Sequence, residues 1–432
     1  MTGPGGTPLA RRLSTADAVV IGLGSMIGAG IFAAFTPAAE AAGPWLLVGL
    51  ALAAGVAWAN ATSSAQLAAQ YPESGGTYVY GRERLGPGWG FAAGWAFIVG
   101  KTASCSAMAL TAATYAFGSQ TAGTRATAIG MVVVLTWVIA RGITKTAALA
   151  RGLLTLTLAA LLVGSVAVAS ATTEWRSAAD TAADFAATFD DRGLTGTAYG
   201  ILQSAGLLFF AFAGYARIAT LGEEVRDPQR TIPRAITRAL LVVIALYAAF
   251  ALLLLATLGA STMAHTPIPL LAAAPPDGFG WVSLVVRAGA AIACVGSLLG
   301  LLSGVGRTTF AMARAGDLPR RFAAVSPTSA VPVVAQIALA AAVVLLTALT
   351  DVRHAIGFSS FGVLLYYAIA NAAAWTQDDR HRRWPRSIQV AGLVGCLVLA
   401  FTVPPLSVVG GAAVIAAGLV GRHAVGRRAP GG

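Results

Sequence analysis

The stretch GLGSMIGAGIF, residues 22–32, places four glycines inside an apolar run that is otherwise long enough to cross a bilayer. In hydrocarbon every backbone N–H and C=O needs a partner, so unwound backbone persists at membrane depth only inside protein or beside a polar cavity. The glycines therefore predict a membrane helix that is interrupted at mid-depth, with a ligand site beside the interruption. Close packing of helices through small residues is the competing explanation of the same pattern.

The whole chain has the composition of an integral membrane protein, because 57% of its 432 residues are hydrophobic and 11% are charged. Soluble domains carry roughly 25% charged residues. Most of the apolar runs are near the roughly 20 residues that span a bilayer, and together they predict about twelve transmembrane helices. The runs lie at 18–42, 45–68, 89–118, 124–140, 147–170, 198–220, 235–260, 279–305, 331–350, 354–375, 387–403 and 405–421.

The net charge of +12 is explained by membrane topology. If the N-terminus is cytoplasmic, 22 of the 29 lysines and arginines fall in inner segments and four in outer segments. Basic residues favour the cytoplasmic side, so we expect a multi-pass protein of the cell (plasma or inner) membrane with both termini in the cytoplasm. No basic stripe with interleaved aromatic residues is left over, and a nucleic-acid partner is not expected.

Nothing in the sequence predicts a metal, a cofactor or an enzyme. Cys105, Cys294 and Cys396 fall in separate predicted spans, and the four histidines are scattered. None of them has the spacing of metal ligands, so the cysteines are expected to be small buried side chains. The longest polar segment, 171–197, is predicted to be a solvated outer loop, and 71–85 a short interfacial helix.

A second interruption is predicted in the sixth span, where FFAFAGY at 209–215 places a glycine and small residues at mid-depth. If helices 1–5 and 6–10 are two structural repeats, helices 1 and 6 occupy matching positions. An odd number of helices in each repeat makes the second repeat inverted. Interrupted spans at matching positions are the strongest sequence indication of a transporter's substrate site, and the pair favours binding over simple packing.

Four more motifs accompany these segments: AAGPW at 41–45, YPESGGTYVY at 71–80, EEVRDPQRTIPRAI at 223–236 and RTTFAMARAGDLPRRF at 307–322. Together they resemble the amino acid–polyamine–organocation superfamily of amino acid permeases, and within it the bacterial branch similar to cationic amino acid transporters. The resemblance implies an all-α integral membrane fold, a five-plus-five inverted-repeat transporter with two extra C-terminal helices.

The implied layout begins with a cytoplasmic tail at 1–16 and continues with an inverted-repeat core at 17–375. The two repeats of that core occupy about 17–170 and 198–375. Two additional helices at 376–421 and a cytoplasmic tail at 422–432 complete the chain. The implied activity is uptake or exchange of amino acids.

The chemistry of an α-amino acid agrees with this implication. An interrupted helix 1 would offer free amides from Met26 to Gly30 to the carboxylate, with a favourable helix dipole. Carbonyls freed near Ser25 and in helix 6 would accept hydrogen bonds from the ammonium group. By the family pattern, Phe210 closes over the substrate. The predicted substrate-binding residues are Ser25, Met26, Ile27, Gly28, Ala29, Gly30, Phe210, Ala211, Phe212 and Ala213.

Four residues are candidates for coupling and gating. Lys101 lies deep in the third span, where a lone ammonium is costly unless it is paired, hydrated or deprotonated. Proton-coupled relatives usually carry a lysine in helix 5, at the position that is Thr157 here. Either Lys101 has taken over the coupling, or the protein is an exchanger or facilitator. Arg217, after the helix 6 interruption, is expected to pair with an acid such as Glu223 at a cytoplasmic gate, or to act as a topological anchor.

Other functions remain as alternatives. A polyamine or other organic cation would favour acidic residues at the site, and none is evident in helices 1, 3, 6 or 8. A channel or sensor could also use interrupted helices. The glycines at 22, 24 and 28 resemble a dinucleotide-binding fingerprint, but their spacing is one residue too long and no alternation of strand and helix surrounds them. The expected partners are an amino acid, the lipid bilayer and a coupling proton.

Overall fold

The computed structural model describes residues 13–72, 75–118, 121–142, 147–222, 224–274, 280–326 and 331–426. In these ranges the regular structure is helical, apart from one parallel bridge between Leu13 and Val225. The α-helices in chain order are α1 Thr15–Ala33, α2 Phe35–Ala42, α3 Leu46–Gln70, α4 Thr77–Leu85, α5 Pro87–Phe117, α6 Ala122–Ala140, α7 Ala147–Ala171, α8 Ala178–Phe212, α9 Ala216–Ala219, α10 Pro228–Thr257, α11 Gly259–His265, α12 Pro269–Ala272, α13 Gly280–Arg314, α14 Val333–Leu349, α15 Val352–Trp375, α16 Arg386–Thr402 and α17 Pro405–Gly426.

Within the described ranges, ten helical segments are long and apolar enough to cross a membrane, and two shorter apolar helices, α14 and α16, accompany them. This confirms the predicted all-helical, multi-pass fold class. Large apolar side chains such as Leu162, Leu284 and Leu406 are well exposed. Exposed apolar side chains on membrane-length helices are typical of a multi-pass membrane protein.

The prediction of an interrupted helix 1 is wrong for this conformation. Residues Thr15–Ala33 form one continuous α-helix, and the chain first bends at Ala34, before α2. Gly22, Gly28 and Gly30 serve close packing instead, whereas an added Cβ at Gly24 would meet nothing within 4 Å. A Cβ at Gly22 would lie 2.3 Å from Ile218 Cδ1, and a Cβ at Gly28 would lie 1.8 Å from Ser297 Oγ.

The interruption of helix 6 is confirmed. The long helix α8 ends at Phe212, a 3₁₀ turn occupies Ala213–Tyr215, and the one-turn helix α9 follows. The predicted outer loop at 171–197 is wrong, because α8 already begins at Ala178. Ser177 caps the first part of α8 by accepting from the Asp180 amide. Gly193, with φ 63° and ψ −177°, has non-helical backbone and divides α8 into two helical parts that meet at a kink. The predicted short helix within 71–85 is present as α4, Thr77–Leu85, and its position at the membrane interface stays a prediction.

A buried polar cluster attaches the extra helix α16 to the core. Asn371 on α15 donates to Asn60 Oδ1 at 2.6 Å and accepts from Ser63 Oγ at 2.7 Å. Cys396 on α16 donates to the same Asn60 oxygen at 3.2 Å. Buried polar groups are costly unless bonded, so this cluster fixes the relative positions of α3, α15 and α16.

Candidate functional site

The two predicted glycine segments meet at the centre of the bundle. A Cβ at Gly30 would lie 2.5 Å from Ala211 Cα, and a Cβ at Gly214 would lie 2.5 Å from the Ser25 carbonyl. These distances are far below normal carbon contacts, so α1 and the helix 6 interruption pack backbone against backbone. The structure thus brings together the two halves of the predicted site.

Three side chains from neighbouring helices donate to carbonyls of the glycine segment in α1. Tyr247 on α10 bonds Met26 O at 2.8 Å. On α13, Ser297 Oγ bonds Gly24 O at 3.3 Å and Cys294 Sγ contacts Gly28 O at 3.8 Å. Helix carbonyls already accept one amide from the residue four positions on. These three carbonyls therefore have donors in side chains outside α1, in addition to the amides of α1 itself.

Tyr247 also connects the two segments directly. Its hydroxyl lies 3.2 Å from Ala211 O, on the helix 6 side, and its ring packs against Phe212 at 5.2 Å between centroids. The residue is fully buried. One phenol thus holds carbonyls of both candidate half-sites.

Lys101 lies at the helix 6 interruption. Its side chain is buried, with 7% exposure, and Nζ donates to Ala213 O at 3.3 Å. Tyr367 on α15 donates to the same carbonyl at 3.4 Å. In the described part of the chain, none of the ion pairs involves Lys101. This ammonium is held by backbone rather than by a carboxylate.

Most of the other predicted binding residues are buried, whereas Ser25 is half-buried. Met26, Ile27 and Phe212 are almost fully buried, Phe210 is 7% exposed, and Ser25 Oγ donates to its own helix at Ile21 O, 2.8 Å away. The backbone of Ala29 is helical, and its side chain lies outside the described structure.

Of the remaining gating candidates, the structure describes Thr157 and Arg217, which lie on different helices. Thr157 is buried on α7 and bonds its own helix at Leu153 O, 2.7 Å away. Arg217 lies on α9, close after the interruption. Glu223 lies outside the described residues, so its pairing with Arg217 stays a prediction.

A second polar cluster lies at the arginine-rich end of the bundle and is centred on Asp317, whose side chain is 7% exposed. We call Tyr78, Arg82, Asp317 and Arg422 the Asp317 cluster. Asp317 accepts from Tyr78 OH at 2.8 Å and pairs with Arg82 at 3.3 Å. Its other oxygen pairs with Arg422 Nε at 3.1 Å. The carboxylate therefore joins the α4 segment and the end of α17 to the segment after α13.

Alkaline pH is expected to weaken this cluster through Tyr78. Burial, together with the hydrogen bond to Asp317, raises the pKa of Tyr78 to about 12, against an ordinary value of 10. A raised pKa means that folding stabilises the protonated phenol, and this contribution is complete below pH 10 and is lost as the pH rises towards 12. Melting temperatures measured from pH 9 to 12 should fall more steeply in wild type than in Tyr78→Phe. Equal slopes would contradict this assignment.

An open cavity of about 290 Å³ lies at the opposite end of the bundle. Thr36, Glu40, Tyr115 and Arg353 are among the residues that line it, and Arg353 pairs with Glu40. Tyr115 packs edge-on against Phe32, the penultimate residue of α1, with centroids 5.3 Å apart. Both rings line the cavity, and Phe32 is the last residue of the glycine segment of α1.

Several residues of the site were not predicted. Tyr247, Cys294, Ser297 and Tyr367 each sit in an apolar run, and their only sequence signal is a polar or thiol group at membrane depth. Asp317 lies within the quoted motif at 307–322, but its partners are more than 100 residues away in sequence.

Comparison with known proteins gives one consistent assignment. The model of the family described as amino acid permease matches residues 13–420. An uncharacterized transporter of Mycobacterium tuberculosis is 54% identical over 424 residues, covering 98% of this chain and 93% of its own. A vacuolar cationic amino acid transporter of Arabidopsis thaliana is 29% identical over 381 residues, which cover 83% of this chain and 62% of that protein. A branched-chain amino acid permease of Bacillus subtilis is 25% identical over 409 residues, which cover 89% of this chain and 84% of that protein.

Proposed function

Because this chain belongs to the amino acid permease family, we propose that it moves amino acids across the cell membrane by alternating access, with both termini in the cytoplasm. In this orientation the Asp317 cluster lies on the cytoplasmic side, and the cavity beside Glu40 and Arg353 opens outward. The substrate is a zwitterion that binds between α1 and the helix 6 interruption. The arginine bias of the inner segments supports the orientation.

The observation that carries the proposed site is the set of three outside donors to α1. In an α-helix the carbonyls of Gly24, Met26 and Gly28 accept from the amides of residues 28, 30 and 32. Ser297, Tyr247 and Cys294 already contact these three carbonyls. If α1 opens at the glycines, the carbonyls keep a partner and only the amides are released.

Released amides are what a carboxylate needs. Backbone N–H groups at the start of the outer half of α1 would form an anion site with a favourable helix dipole. Glycine lowers the cost of leaving the helix, by roughly 0.5–1 kcal/mol for each glycine relative to alanine. We therefore propose that the continuous α1 is the empty form, and that substrate binding opens it between Gly24 and Gly30.

Gly24→Ala tests this opening. A Cβ at Gly24 would meet no atom within 4 Å, so the substitution fits without a clash. Alanine favours the helix by roughly 0.5–1 kcal/mol. We expect an unchanged or higher melting temperature, together with a rise of about 2- to 5-fold in the Kd for the substrate, since an opening penalty of this size weakens binding accordingly.

The matched control is Gly55→Ala on α3, which also meets nothing within 4 Å. It should leave the substrate Kd unchanged. If Gly24→Ala binds substrate as tightly as Gly55→Ala, α1 does not open on binding.

The substrate class is tested with purified protein and a melting-temperature screen of the twenty amino acids and common polyamines. Ligands that stabilise the protein are then used in uptake assays with proteoliposomes, with and without a proton gradient. Accumulation driven by the gradient supports proton coupling. Exchange without accumulation supports an exchanger, and stabilisation by polyamines alone supports an organic cation transporter.

A further inference from the structure

The interaction of Lys101 with the helix 6 interruption has a consequence for substrate binding. Ala213 terminates α8 as its C-cap, at the point where the regular helix gives way to the 3₁₀ turn. Its carbonyl accepts from Lys101 Nζ and from the Tyr367 hydroxyl. Two side chains from two other helices thus converge on one backbone oxygen.

The same oxygen belongs to the group of carbonyls proposed for the ammonium of the substrate. A lysine ε-ammonium and the α-ammonium of an amino acid are chemically alike, because each is a compact cation with three N–H donors. Two such cations within hydrogen-bond distance of one oxygen repel each other strongly in a buried, low-dielectric place. Lys101 and the substrate ammonium therefore exclude each other from Ala213.

We propose that Lys101 is a built-in competitor, whose ammonium occupies the ammonium position of the substrate site and must leave Ala213 before an amino acid can bind there. The inference rests on the proposed function, since it assumes an amino acid substrate between α1 and helix 6. It assigns Lys101 a role in setting substrate affinity and in stabilising the empty carrier.

The competitor also explains how the empty site is kept satisfied. Without substrate, an interrupted helix leaves a carbonyl that requires a donor in the membrane interior. Lys101 and Tyr367 both supply donors to this carbonyl within the chain, and of the two only Lys101 is a cation. When the carbonyls of the empty carrier have donors in this way, the site can turn from one side of the membrane to the other without bound substrate. Net uptake requires this step, and exchange does not.

The test compares wild type with Lys101→Met, which keeps the length of the side chain and removes its charge, and with Lys101→Gln, which keeps a polar end. The probes are the amino acid that gives the largest melting-temperature shift in a screen of all twenty, and the L-2-hydroxy acid with the same side chain. The hydroxy acid lacks the ammonium, so it does not compete with Lys101.

We expect both variants to bind the amino acid about 10-fold more tightly than wild type, and the hydroxy acid within about 2-fold of wild type. Net uptake into empty proteoliposomes should fall at least 5-fold, while exchange against internal amino acid persists. If Lys101 had a purely structural role, the variants would bind both ligands more weakly, and both net uptake and exchange would fall.

The control is Thr102→Val, next to Lys101 on α5. Thr102 is buried and bonds only its own helix at Ile98 O in the described structure, so its removal should change neither affinity. If wild type binds the amino acid and neither folded Lys101 variant binds it more tightly, the competitor role is overturned and the proposed function stands. Equal tightening for both ligands also overturns the competitor role. A wild-type protein that binds no amino acid overturns the proposed function and this inference together.

Discussion

Gly214→Ala is expected to abolish substrate uptake and to lower the free energy of unfolding by about 2–3 kcal/mol, the upper part of the range for overpacked cores. The new Cβ would lie 2.5 Å from the carbonyl carbon and oxygen of Ser25 and 2.6 Å from Met26 N. These are backbone atoms, so no change of rotamer relieves the clash. Helix 6 would have to move away from α1, and the two half-sites would separate.

The loss of stability can be measured by titrating detergent-solubilised protein with a denaturing detergent, and uptake can be measured in proteoliposomes. The control is Gly130→Ala on α6, where an added Cβ meets nothing within 4 Å. It should raise stability slightly and leave uptake unchanged. Wild-type uptake by Gly214→Ala would show that the close contact between α1 and helix 6 is not needed for transport.

Asp317→Asn is expected to have the second large effect, a loss of about 1–2 kcal/mol of stability. Asp317 is 7% exposed, but Arg82 and Arg422 are 38% and 26% exposed, so the loss should lie between those of exposed and of fully buried ion pairs. The substitution keeps the shape of the side chain and removes its charge. Arg82 and Arg422 then lose their shared anion, and the Tyr78 hydroxyl loses a charged acceptor. The ends of α4 and α17 should loosen, with greater protease accessibility near Arg422.

The matched control is Asp379→Asn. Asp379 also pairs with an arginine, Arg382, but its side chain is 89% exposed. Exposed ion pairs contribute about 0–1 kcal/mol, so this variant should melt close to wild type. If the two substitutions lower the melting temperature equally, the Asp317 cluster does not hold the ends of α4 and α17 together.

The number and the kind of helices could be predicted from the sequence, because an apolar run of bilayer length has few other structures available to it. The interruption near Gly214 was predicted from a glycine and small residues at mid-depth in the sixth span. The continuity of α1 was not, because glycine permits both a break and close packing, and the partners that decide between them, Ala211 and Ser297, are distant in sequence. The helix propensity of glycine alone does not distinguish a break in α1 from close packing of a continuous α1.

The site was predicted only in part, and the missing parts share one cause. The importance of Lys101 follows from its charge and depth, but its bond to Ala213 depends on how α5 packs against helix 6. The same holds for Tyr247, whose hydroxyl reaches carbonyls in two different helices. Contacts between distant segments need the fold itself, whereas residue types at membrane depth are already visible in the sequence.

The most direct test of the central claim is uptake of labelled amino acids by proteoliposomes that contain the purified wild-type protein. We predict saturable uptake of at least one labelled amino acid. The same amino acid without label should reduce this uptake by competition, polyamines should not reduce it, and Gly214→Ala should abolish it. If none of the twenty amino acids enters faster than it enters protein-free liposomes, with or without a proton gradient or internal amino acid, the proposed amino acid transport is contradicted.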